Sequence, residues 1–128
     1  MNPEFATGTS RDILSNPWRA AVVFCLPVAA IVLSGGLNIG DFWRAVVWAA
    51  CLGVMGVACL VNASRCGRVH CYFTGPFLIV MALAALSYGL GAPALGRAGW
   101  NWIGGVTVVG AALLSCVPEL LFGRYLRR

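Results

Sequence analysis

Long apolar runs broken by brief polar punctuation make up most of this sequence. Ala20 to Gly40 is 21 residues without a charge, Ala45 to Ser64 is 20 and Ala98 to Pro118 is 21. A further apolar stretch runs from Thr74-Gly75-Pro76 to Gly91-Ala92-Pro93. These runs are too long for strands, and as helices, rising 1.5 Å per residue, they can cross a hydrocarbon core of about 30 Å. The pattern predicts an all-α integral membrane domain over residues 18–128, behind a flexible segment 1–17. Its four spans fall at about 18–37, 42–62, 74–91 and 100–122, packed as an antiparallel bundle.

The punctuation sharpens those boundaries. Asn38-Ile39-Gly40-Asp41 reads as a tight turn with Asp41 as N-cap of a helix beginning at Phe42. Thr74-Gly75-Pro76 reads as a helix start, since Pro fits the first turn and Thr can cap it. Between the second and third spans this leaves a polar loop, Arg65-Cys66-Gly67-Arg68-Val69-His70-Cys71. Arg11 and Arg19 ahead of the first run resemble a signal-peptide flank, but the run is long and Leu33-Ser34-Gly35-Gly36 is a poor cleavage site, so a retained anchor is expected.

Composition agrees: 60% of the residues are hydrophobic and 10% charged, against roughly 25% charged in soluble domains. The net charge of +5 comes from arginines that flank apolar runs, with no basic patch interleaved with aromatics, so nucleic acid is excluded as a partner. Seven arginines (11, 19, 65, 68, 124, 127 and 128) fall on one side of the predicted membrane and two, Arg44 and Arg97, on the other. The positive-inside rule then places both termini and the Cys/His loop in the cytoplasm, in an inner (plasma) membrane. Trp43, Trp100 and Trp102 would form the outer aromatic belt, and Trp18, Tyr72 and Tyr125 the inner one. Ala49/Gly53 and Gly36/Gly40 have the small-xxx-small spacing that lets membrane helices approach closely, including in a homo-oligomer.

Candidate chemistry concentrates on sulfur. Four of the six cysteines, Cys25, Cys51, Cys59 and Cys116, lie inside apolar runs, which argues against a secreted disulfide scaffold. In the loop, Arg65, Arg68 and the start of the third helix surround Cys66, His70 and Cys71 with positive potential, which favours the thiolates that bind soft metals or attack disulfides. Cys51, Met55 and Cys59 recur every fourth residue and make a slanted sulfur stripe along the second helix, in a pattern that ordinary core packing also produces. Cys25 and Cys116 each stand two residues before a proline in the predicted cytoplasmic halves of their helices. Glu119 shares a helix face with Cys116, and an acid at that depth is a functional candidate or the partner of Arg65, Arg68 or Arg124. Soft sulfur donors select ions such as Cu(I) or Hg(II) over Mg or Ca.

In size, helix count and thiols placed in and between short spans, the chain resembles the small mercury-resistance (mercuric ion) membrane transporters. It differs from them in carrying Cys25 alone where a cysteine pair is expected in the first helix. The string from Arg65 through Cys66, His70 and Cys71 to Thr74-Gly75-Pro76 looks like the signature of a small membrane-protein family. The resemblance implies a carrier for a thiophilic heavy-metal ion or its organic adduct, mercury first and copper second, with Cys66, Cys71, His70, Cys59, Cys25 and Cys116 as metal ligands. Glu119, Arg65, Arg68, Met55 and Cys51 are supporting residues, and a cytoplasmic metal-accepting protein is a natural partner. Such a carrier needs no cofactor and no catalysis. Two readings compete with it: a membrane thiol-disulfide oxidoreductase using Cys66 and Cys71, and a non-catalytic adaptor or metal sensor.

Overall fold

The computed structural model describes residues 16–122, apart from the side chains at 66 and 93–95. The segment 1–15, the C-terminal arginines at 124, 127 and 128, Tyr125 and the side chain of Cys66 therefore lie outside the described residues. Within them the protein is all-helical, with no strand, and four of its helices are long and apolar enough to cross a membrane.

Helix α1 covers Pro17–Gly36. Asn16 starts it, its side chain accepting from the Trp18 amide at 3.1 Å, and Pro17 supplies a first-turn residue that needs no donor. Over Ala21–Cys25 the helix widens into a π turn, closed by the Leu26 amide donating to the Ala21 carbonyl. Pro27 follows at once; it has no N–H, and its ring crowds the carbonyl one turn back, which the wider turn accommodates.

Helix α2 covers Asp41–Cys66. Its N-cap is Gly40, which makes no side-chain bond, so the expectation that Asp41 caps a helix from Phe42 is corrected. Asp41 is itself the first helical residue, an acid at the positive end of the helix. At the other end Gly67 stops the helix at φ 67°, its amide bonded to the Ala63 carbonyl at 2.9 Å.

Helix α3 covers Val69–Gly89, with extended Arg68 as its N-cap. The predicted Cys/His loop is thus reduced to Gly67-Arg68, and Cys66, His70 and Cys71 are all helical. Thr74 caps nothing, and Thr74-Gly75-Pro76 sits inside α3. Gly75 is there for packing: a Cβ on it would lie 2.8 Å from Leu60 and 3.1 Å from the Gly56 carbonyl of α2. Gly91, at φ 97°, then leads into a 3-10 segment, Pro93–Ala98, and helix α4 covers Gly99–Phe122 with Pro118 inside it.

Helices α2 and α3 form the most extensive contact; α4 packs on α3, and α1 on α2. Trp48, Leu52, Met55, Leu78, Met81, Ala82, Ala85 and Ile103 make the main core. Outward faces carry exposed Val54, Val57, Val80, Leu83, Val108 and Leu120, which suits surroundings of lipid rather than water. A polar-aromatic knot ties the helices at the end away from Gly67. There the Trp100 indole donates to Asp41 at 3.0 Å, Trp48 to Ser34 at 3.1 Å and Arg44 to the Ser34 carbonyl at 3.3 Å. Arg44 also lies over the Trp100 ring, so both residues are structural ties in addition to any topological role.

Candidate thiol site

A second buried cluster lies where α2 and α3 leave the Gly67-Arg68 turn. Cys59 and Ala63 of α2 meet Cys71 of α3, and Phe24 from the π turn of α1 packs over them. Cys71 is 0% exposed and Cys59 2%, and the two pack in the same buried cluster. Asn62, one turn on from Cys59 and 1% exposed, directs its amide at the Cys71 sulfur at 3.9 Å.

The imidazole of His70 links this pair to α4. Its Nε2 is 3.3 Å from the Cys71 sulfur and its Nδ1 is 2.6 Å from Glu119 Oε1. With the carboxylate accepting from Nδ1–H, Nε2 is left to accept from the Cys71 thiol, so Glu119 sets both the tautomer and the tilt of the ring. Glu119 is half-buried, and its described partner is His70 rather than one of the expected arginines. The reason is the early start of α3: its first turn carries His70 to α4, where a loop would have left it in solvent.

The other predicted site residues fall elsewhere. Cys25 and Cys116 are exposed on α1 and α4, Cys51 is partly buried and Arg65 is exposed. Met55 belongs to the main core, so the Cys51/Met55/Cys59 stripe divides between core packing at Met55 and the thiol cluster at Cys59. Among the described residues no group of three or more His, Cys, Asp and Glu side chains is arranged to hold a metal ion. One site residue was not anticipated, Asn62; a lone Asn in the apolar run of α2 was the available signal.

A thiol hydrogen-bonded to an imidazole that is itself held by a carboxylate is the arrangement of an activated sulfur nucleophile or ligand. A second thiol beside it makes the pair suited to grip one soft ion or to exchange with a disulfide. Neither a protein-family model, nor a curated protein, nor a solved structure matches this chain.

Proposed function

We propose that this protein is a multi-pass inner-membrane carrier for a thiophilic heavy-metal ion or its organic adduct, with mercury favoured over copper. Its four spans run antiparallel, with both termini and the Gly67-Arg68 turn on the cytoplasmic side. The observation that carries the reading is the buried contact between Cys59 and Cys71, backed by His70 and Glu119. Two sulfurs at one point inside apolar helices offer a soft ion a stopping place without water, and oxygen-seeking ions have no reason to enter. Cys66, three residues after Ala63 on the same helix, would receive or hand on the ion at the cytoplasmic end. Exposed Cys25 and Cys116 would serve as outlying ligands on neighbouring helices.

The test is binding of Hg(II) and Cu(I) by the purified protein. Cys59→Ser and Cys71→Ser should each weaken binding by at least the roughly 10–100-fold that loss of a supporting residue costs a metal site, whereas Cys51→Ser should not. Equal loss in all three would mean indiscriminate thiol reaction, and unchanged binding in the first two would reject the site.

The same contact favours one alternative, a membrane thiol-disulfide oxidoreductase, now with Cys59 rather than Cys66 as the partner of Cys71. A carrier must keep both thiols reduced, and an oxidoreductase must cycle them. Rapid alkylation of intact cells separates the two: free thiols protected by prior metal exposure support the carrier, and a Cys59–Cys71 disulfide indifferent to metal supports the enzyme.

A further inference from the structure

Neither member of the thiol pair is open to a visiting ion, since Cys59 and Cys71 are both buried. A site that takes up and releases an ion must open, so the side chain that closes it matters. Phe24 is the partly buried apolar residue packed against the cluster of Cys59, Ala63 and Cys71, and it also packs against the main core, so its ring spans the two. The backbone that carries this ring is irregular. Phe24 lies inside the π turn Ala21–Cys25, and Pro27, three residues on, has no N–H to offer the Val23 carbonyl one turn back. Moving a π turn along a helix by one position re-aims the residue it passes by about 100° and leaves the winding on either side intact. Helix α1 is also lightly held. It packs on α2 and buries few of its residues, whereas α2 and α3 make the most extensive contact of the bundle.

We infer that Phe24 is the gate of the thiol site, its ring swinging off Cys59 and Cys71 at the π turn and so setting the size of the species that enters. The inference rests on the carrier reading for what passes the ring, and it deepens that reading by naming how the ion arrives and what limits an organic adduct. Closed, the ring keeps two sulfurs from any thiol-reactive molecule dissolved in the membrane. Open, it leaves a passage one side chain wide, because the helices that carry the sulfurs, α2 and α3, are the pair most extensively packed on each other. A bare ion or a compact adduct fits such a passage. An adduct bearing an aromatic ring does not, unless α1 itself is displaced.

The experiment labels the full-length protein, without metal, with N-ethylmaleimide and the bulkier N-benzylmaleimide, and follows each cysteine by mass spectrometry. Cys116, exposed on α4, reports the intrinsic rate of each reagent, and partly buried Cys51 reports any general loosening. An open form populated at about 0.1–10% slows entry in proportion, so Phe24→Ala should speed labelling of Cys59 and Cys71 at least about tenfold. The gain should be larger for N-benzylmaleimide, and Cys51 should be unchanged. Phe24→Leu, which disturbs the packing less, should give a smaller gain of the same kind. Unchanged rates at Cys59 and Cys71 in both variants would overturn the inference. So would an equal gain at Cys51, since the ring would then serve the fold, or equal gains for the two reagents, since it would then set no size. No metal enters this measurement, so it is decided separately from the carrier: if Cys59→Ser and Cys71→Ser bind Hg(II) as the native protein does, the carrier reading fails while the labelling rates still decide the gate.

Discussion

A cysteine, a histidine and a glutamate do little alone inside a membrane; what matters here is the order in which they touch. Glu119 holds Nδ1 of His70 and thereby aims Nε2 at Cys71, so removing the acid should act through the ring. On the carrier reading, Glu119→Ala is expected to slow metal uptake about 10–100-fold, the usual cost of losing an outer support, with protein level unchanged. Uptake assays beside immunoblots of the membrane fraction check this, and a fall in protein level instead would make the His70–Glu119 pair a structural tie. The same residue-scale view explains why the site was only partly legible. Cys71, His70 and Cys59 were all expected among the ligands, but Cys59 also belonged to a stripe that packing explains, and nothing in the sequence paired it with Cys71 rather than Cys66. Its partnership with Cys71 depends on the angle at which α3 leaves the Gly67-Arg68 turn, which no spacing along the chain encodes.

Glycines decide the packing of α2 and α3, and each makes a separate demand. Gly67, at φ 67°, occupies a left-handed conformation that an L side chain resists, so Gly67→Ala should cost about 1 kcal/mol and loosen the turn that sets Cys59 against Cys71. Gly89 is crowded: a Cβ there would run into the Ala45 Cβ and sit 2.9 Å from the Asp41 carbonyl. Gly89→Ala should therefore cost about 1–3 kcal/mol, as overpacking does. Gly53 has nothing within 4 Å of its Cβ position, and Gly53→Ala should be neutral or slightly stabilising. Thermal unfolding of the three purified variants gives the comparison, and a Gly53→Ala loss as large as that of Gly89→Ala would show that Gly53 meets another copy of the chain. The small-xxx-small pairs chosen from the sequence, Ala49/Gly53 and Gly36/Gly40, include three glycines with open surroundings. The close approaches between α2 and α3 fall instead at Gly56, Gly75 and Gly89, because contact between helices depends on which face each presents and not on how often glycine recurs.

At the scale of the whole molecule, the carrier reading requires the thiol end of the bundle to face the cytoplasm. A reporter inserted after Gly67 and one fused after Arg128 should both report cytoplasm, and one near Gly96 the exterior. An external signal at Gly67 would turn the site around, making it a point of capture rather than release. Opposite ends of the fold are built for different tasks. The knot of Asp41, Arg44, Trp48 and Trp100 with Ser34 is pinned by hydrogen bonds and ring contacts at one end. The thiol site at the other is closed over by Phe24 from the π turn of α1, where that helix departs from regular winding.

Run length and hydropathy alone determined that this chain forms four membrane-length helices, since in lipid an apolar stretch of about twenty residues must bond its own backbone and only a helix does so within one segment. The reactive character of the region between the second and third spans was also legible, because thiols, an imidazole and guanidiniums are chemically distinct wherever they occur. Tertiary structure decided the rest. Gly67 ended one helix and Arg68 began the next so abruptly that the expected loop became two helix ends, and only the packing of α2, α3 and α4 brought Cys59, Asn62, Cys71, His70 and Glu119 together. Contacts between residues as far apart as His70 and Glu119 depend on helix rotation and tilt, which arise from the whole set of packed faces rather than from any one stretch of chain.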